Sequence, residues 1–202
     1  GNLVADAFRE ALGTDAAIMV RGLIAQPLFA GPMVPTDVLR VLPYGAPPVT
    51  QPGVHGDSLV RLRVSGRTLL DILETGTRIE LAIPGELTGL PLGVAGPDYA
   101  PQVSGIRYAY DPAPLEDVRR THLLPDSLQV GGQPLEPDRY YSVATPRLIG
   151  TALLAARVIA PGAVALTPVS GFGALHDFLQ RQGEVSARVE GRIIARTVGQ
   201  GI

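Results

Sequence analysis

Three histidines, His55, His122 and His176, are the whole imidazole supply of this 202-residue chain, and they stand far apart in sequence. A hydrolytic metal centre needs clustered histidine and carboxylate ligands that hold the ion and lower the pKa of its bound water. Only His55-Gly56-Asp57 places an imidazole beside a carboxylate. It lies in a Pro/Gly-rich stretch with no second ligand pair nearby, so a solvated loop is its plain reading. His122 and His176 read as ordinary surface or core-edge histidines. The chain has no cysteine, which removes both a thiol nucleophile and a disulfide framework. No Gly-x-Ser-x-Gly elbow occurs. Gly171-Phe172-Gly173 is too short for a dinucleotide fingerprint, and no Gly-rich loop ends in Lys-Ser/Thr. Asp111, Glu116 and Asp117 lie among prolines and read as solvated turn residues. Taken alone, these residues specify no active site.

The elements that would position a site are clearer. Leu3, Val4, Ala7, Phe8 and Leu12 recur on one helical stripe, with Asp6, Arg9 and Glu10 opposite, which predicts a helix over Asn2–Leu12. Asn2 suits its N-cap and Gly13 its end. Ala16–Val20 is a short apolar run that reads as a buried strand. Thr36–Leu42 has room for about two helical turns between Pro35 and Pro43. Ser58–Val64 alternates, with Val60, Leu62 and Val64 on one face and Arg61 and Arg63 on the other, which predicts a half-buried strand. Ser65 then caps a helix through Thr75 that turns Leu69, Leu70, Ile72 and Leu73 inward.

Two Gly/Pro-rich stretches, 45–57 and about 84–101, read as loops. A strand is expected over Val103–Tyr110, and further strands over Ser127–Val130 and Tyr140–Ala144 around a Gly131-Gly132 turn. Arg147–Val158 and Gly173–Arg181 read as helices, and Ala163–Leu166 and Val185–Val189 as strands. Interleaved strands and helices with hairpin signals predict an α+β fold, a mixed β-sheet flanked by helices, within one domain over residues 1–202.

Composition excludes several classes. Hydrophobic residues make up 46% of the chain and aromatic ones 5%, so a sizeable core must be built mainly from Leu, Val, Ile and Ala. Seventeen basic residues, all arginine, face 19 acidic ones, and no basic tract extends beyond Arg119-Arg120 and Arg61/Arg63, so no nucleic-acid footprint is expected. No run of 18 apolar residues predicts a membrane span. The chain reads as soluble and globular. Its start at Gly1-Asn2, inside a helix start, is that expected of an excised domain whose signal peptide is absent or removed.

A family resemblance runs through nearly the whole chain. Gly1-Asn2-Leu3-Val4-Ala5-Asp6-Ala7, Ala16-Ala17-Ile18-Met19, Gly31, Asp37-Val38-Leu39 and Leu42-Pro43-Tyr44-Gly45 appear in order. Ser65-Gly66-Arg67-Thr68-Leu69 with Leu73-Glu74, the Gln102–Asp111 stretch, Gly132-Gln133-Pro134-Leu135 and Tyr140-Tyr141 to Thr145 follow. This series resembles the C-terminal, substrate-binding domain of the 5'-nucleotidase and UDP-sugar hydrolase family. The resemblance implies a partner, an N-terminal metallophosphoesterase domain that carries the divalent metals, so that no cofactor is expected in this chain. It also implies a nucleotide or other phosphorylated small molecule as ligand, and a periplasmic or extracellular location.

The same resemblance marks departures. Where members carry Asn-x-Gly-Gly-Ile-Arg, this chain has Val20-Arg21-Gly22-Leu23-Ile24-Ala25. Pro-Phe-Gly-Asn becomes Pro43-Tyr44-Gly45-Ala46, which keeps a ring and loses an amide. Leu148 stands at the second aromatic position, and Thr151–Ala155 replaces a Gly-Gly-Asp-Gly turn. The remaining substrate-binding candidates are Tyr44, Arg21 and Arg147. Tyr44 reads either as one face of a base slot or as a ring packed at a loop–helix junction. Arg21 and Arg147 read either as a new anion site or as solvated or locally paired side chains, and Arg107 as half of a structural ion pair. The chain is therefore expected to be either the substrate-binding domain of a phosphoesterase, inactive in isolation, or a degenerate binding or scaffold module that has lost nucleotide recognition.

Overall fold

A computed structural model describes residues 1–45, 58–82, 97–113 and 121–197. The elements run α1 (Asn2–Leu12), β1 (Ala16–Val20), α2 (Pro35–Val41), β2 (Ser58–Ser65), α3 (Gly66–Leu81), β3 (Pro101–Ser104) and β4 (Ile106–Tyr110). They continue with β5 (Gln129–Val130), β6 (Gln133–Pro134), β7 (Tyr140–Pro146), α4 (Arg147–Ala155), β8 (Val164–Ser170), α5 (Gly171–Gln182) and β9 (Ile193–Ala195). A five-stranded sheet has the order β3-β1-β7-β2-β8, and a four-stranded sheet the order β6-β5-β4-β9. Both mix parallel and antiparallel pairs, with helices against them, as the α+β reading expected.

The larger sheet is covered on both faces. Ala17, Met19, Leu59 and Ala144 pack against Val4, Phe8 and Leu12 of α1, Val38 and Val41 of α2 and Leu175 and Phe178 of α5. The alternate residues Ile18, Val60, Leu62, Val64 and Val143 pack against Leu69, Ile72 and Leu73 of α3, Leu153 of α4 and Ile106 and Tyr108 of β4. The period-2 alternation of each strand thus feeds two cores at once. Arg61 and Arg63, on the same face of β2 as Leu59, are exposed. The Arg61 guanidinium donates to the Leu12 carbonyl and so satisfies an acceptor left open at the end of α1.

Several local expectations need correction. Gly1, not Asn2, is the N-cap of α1, and Asn2 is its first helical residue. Val103–Tyr110 is two strands in two different sheets, because Gly105 takes a left-handed φ of 71° and turns the chain from one to the other. The Gly131-Gly132 turn, with φ of 61° and 78°, pairs β5 with β6, whereas β7 lies at the centre of the larger sheet. α3 runs past Gly76 to Leu81: a Cβ at Gly76 would stand 2.8 Å from Pro101 Cγ, so the glycine is a packing contact with β3 and not a stop. α4 ends at Ala155, short of Val158. Residues 185–189 join no sheet, since β9 takes the place beside β4.

Asp111 is buried rather than solvated, and its carboxylate accepts from the Ala113 amide at 3.1 Å. His122 is fully buried, with Nδ1 3.1 Å from the Asp111 carbonyl. Arg107 is exposed and has no ion pair among the described residues. His55, Asp57, Glu116 and Asp117 lie outside the described residues.

Candidate functional site

β1 and β7 are parallel neighbours, with Ala16 opposite Val143 and Ala17 opposite Ala144. A reciprocal staple sets their register at the N-terminal ends. The Ser142 amide and hydroxyl donate to the Asp15 carboxylate at 2.8 and 2.7 Å, and the Asp15 amide donates to Ser142 Oγ at 3.0 Å. Burial raises the Asp15 pKa, but the two Ser142 donors and the Arg139 charge outweigh it and leave it below its ordinary value.

β2 is antiparallel to both β7 and β8, with Leu59 opposite Pro146 and Ser58 opposite Ser170. The carboxyl ends of β1, β7 and β8 therefore reach one edge of the sheet, where open α/β sheets commonly bind ligands. There β1 passes into a 3-10 turn at Arg21–Leu23, β7 into α4 at Arg147, and β8 into α5 at Gly171. The loop after β1 returns through α2 to a second 3-10 turn at Pro43–Gly45, held by the Ala25 amide donating to the Val41 carbonyl at 2.9 Å.

A shallow depression with a free volume of about 20 Å³, room for roughly one water, lies at this edge. The core residues Phe8, Met19 and Leu59 make the floor; Leu23, Leu42, Pro146 and Gly171 make the walls. Tyr44 stands at the lip with its side chain 66% exposed. Leu148, on the first turn of α4, is also exposed, at 52%.

The two arginines differ. Arg21 opens its 3-10 turn and faces Asp98, with Nη2 3.8 Å from Oδ1, both side chains exposed. Its charge is also felt by Glu80, whose pKa burial raises and Arg21 partly restores. Arg147 opens α4, is exposed, and has no ion pair among the described residues. Tyr44 and Pro146, the residue before Arg147, border the same depression, as does Leu23, two residues after Arg21. The three candidates thus share one edge of the sheet.

Sequence reasoning passed over Gly171, which opens α5 and borders the depression. Its only signal was Gly171-Phe172-Gly173 before an apolar helical stripe. Among the described residues, no group of three or more histidine, aspartate or glutamate side chains is placed to hold a metal ion. No described helix is long and apolar enough to cross a membrane.

With that geometry in view, the likeness to known proteins is specific. The family described as 5'-nucleotidase, C-terminal domain, matches residues 1–152. An endonuclease of Bacillus subtilis strain 168 is 27% identical over 171 residues, which is 85% of this chain and 11% of that protein. A 5'-nucleotidase precursor from Thermus thermophilus superposes with a TM-score of 0.70 at 23% identity, covering 96% of this chain and 34% of the other. The NAD nucleotidase of Haemophilus influenzae gives 0.74 at 16% identity, covering 97% and 33%. The chain therefore spans about a third of these structural neighbours and a ninth of the endonuclease.

Proposed function

Because this chain belongs to the family of 5'-nucleotidase C-terminal domains, we propose that it positions substrate for a 5'-nucleotidase-like phosphoesterase whose bond cleavage is carried out elsewhere. The observation that carries this reading is the edge of the larger sheet. A ring at the lip of an open depression and two guanidiniums on the same edge are a means of binding and orienting a ligand, and no described residues form a metal cluster beside them. Divalent metals and the activated water belong to an N-terminal metallophosphoesterase domain. The contribution of this chain is to hold the leaving portion of a nucleotide or other phosphorylated small molecule in line with that centre, a gain in orientation rather than in bond-making.

No donor set among the described residues fits a metal ion, so no step of the reaction is routed through a metal held by them. Tyr44 offers a face for stacking. Arg147, without an ion pair among the described residues, offers a cation for an anionic group, and Arg21 a cation already shared with Asp98. The Thermus relative is a 5'-nucleotidase precursor, which supports a periplasmic or extracellular setting.

The test is ligand-induced thermal stabilisation of the purified chain by nucleotides, nucleosides, sugar phosphates and simple anions. A ligand present at a hundred times its dissociation constant adds about 2.7 kcal/mol. A melting shift with one class, lost in Tyr44→Ala, is the expected result. No shift with any class would instead make the chain a scaffold module without a ligand.

A further inference from the structure

Four strands stand at the ends of the two sheets, and β8 differs from the other three. β3 has four residues and lies against α1 and α3, β6 has two, and β9 has three between Arg192 and Arg196. β8 runs for seven, and among the described residues no backbone group bonds to its outer side. Its first half is also open on both faces. Ala165, opposite Arg61, and Leu166, opposite Val60, point to the two sides of the sheet, and both are exposed, Leu166 at 74%. From Val158 to Leu175 the sequence carries no Asp, Glu, Arg or Lys. Free edges are ordinarily blunted by charge, by shortness, by cover or by proline. Here only Pro168 acts, and its missing amide confines pairing to Val164–Thr167. That stretch is held from its inner side: Val164 to Leu166 pair with β2, and the Thr167 hydroxyl donates to the Leu59 carbonyl at 2.7 Å.

We propose that β8 pairs antiparallel with β8 of a second copy of this chain, so that the two larger sheets continue as one. The occupant follows from the edge. A strand added here must offer a run of free backbone groups and bring no charge into the contact, and among the described end strands β8 itself is the one that does. An antiparallel pair about a two-fold axis perpendicular to the sheet is isologous and closes at two copies, whereas pairing with a different edge would propagate. Two uncharged stretches meet without the repulsion that like charges directly opposite would bring, and Leu166 exchanges water for contact. The carboxyl edges of the two copies then face opposite ways. The pairing calls on none of Tyr44, Arg21 and Arg147, and it stands or falls separately from the substrate-positioning role.

Sedimentation velocity of the purified chain across the micromolar range tests this, with Leu166→Arg beside the wild type. The expected result is a reversible monomer–dimer equilibrium whose dissociation constant rises at least about tenfold in Leu166→Arg. Melting curves show that each variant is folded, and Ala165→Arg, on the opposite face, serves if Leu166→Arg is not. Because the chain has no cysteine, Ala165→Cys and Leu166→Cys each introduce a single thiol. A two-fold pair sets one residue of the stretch directly opposite its own copy, within reach of a disulfide. Mild oxidation is therefore expected to link two copies at one of these positions and not in Arg107→Cys, an exposed control in the smaller sheet. A chain that stays monomeric throughout the range overturns the proposal, as does association that does not stop at two copies. A dimer that the folded arginine variant leaves intact, or a cross-link at neither position, overturns it as well.

Discussion

Arg192 commits its guanidinium to the start of the chain. It donates to both oxygens of Asp6 at 2.8 Å, to the Val103 carbonyl at 2.8 Å and to Glu190 at 2.7 Å, with its side chain only 12% exposed. Ser104 adds a 2.6 Å bond to the same aspartate. Burial raises the Asp6 pKa, but these donors and the charges of Arg192 and Arg9 outweigh it and hold it below the ordinary 3.8. A depressed carboxyl contributes stability that is present above its unfolded-state pKa and lost as pH falls through the folded-state value. Asp15, depressed by Ser142, adds to the same window. Melting temperature is therefore expected to drop as pH falls below about 4, and Asp6→Asn to flatten that slope. Arg192→Ala, measured by urea unfolding, is expected to cost about 2 kcal/mol, since it strands a partly buried carboxylate. At the candidate site, Arg147→Ala is expected to weaken phosphorylated ligands about tenfold and leave uncharged ones unchanged. Arg21→Ala should do less, because Asp98 already engages that cation; titration of one phosphorylated and one neutral ligand against both variants checks this.

At the scale of elements, α3 works as a clamp as well as a core helix. The Glu74 carboxylate accepts from the His122 amide at 2.9 and 3.1 Å and from the Leu123 amide at 2.8 Å, which pins the segment that bridges to Tyr110 of β4. Glu74→Ala leaves two backbone donors short of an acceptor and is expected to lower stability by about 2–3 kcal/mol in chemical denaturation. Gly105 is the other element-scale hinge. A Cβ there would lie 2.3 Å from the Asp15 carbonyl oxygen, and its φ is left-handed. Gly105→Ala is expected to cost about 3 kcal/mol, combining backbone strain with a contact that only movement of the β1 entry can relieve. Its melting curve should shift more than that of Gly131→Ala, where nothing lies within 4 Å of the added carbon.

For the whole molecule, the larger sheet acts as a platform. Its parallel pair, stapled at one end by Asp15 and Ser142, and β8 together deliver three loop starts to the other end, and apolar layers on both faces keep that edge in place. The positioning role proposed for this edge calls on no nucleophile, base or metal from the chain itself. Purified protein is accordingly expected to release no phosphate from AMP or 4-nitrophenyl phosphate with or without divalent ions, in an assay of inorganic phosphate. Turnover that persists through repurification and tracks with the protein would contradict the division of labour proposed for it.

The types and most bounds of the elements were written locally: apolar periodicity placed α1, β1, β2 and α5, and the ordered motifs from Gly1-Asn2 to Thr145 carried the family. The resemblance also nominated Tyr44, Arg21 and Arg147, because each stands at or beside a position where the family carries a ligand-binding motif. What the pattern could not contain was partnership. Alternation states that a strand has two faces and says nothing of which strand lies beside it. Hence Val103–Tyr110 read as one strand until Gly105 divided it between sheets, and residues 185–189 alternated without an edge to join. Burial of Asp111 and His122 and the shared depression of Phe8, Met19, Leu59 and Gly171 depend on contacts between residues far apart in the chain. Those contacts exist only once the sheet order is set. Family and elements were therefore local information, whereas the apolar character of the site arose from long-range packing.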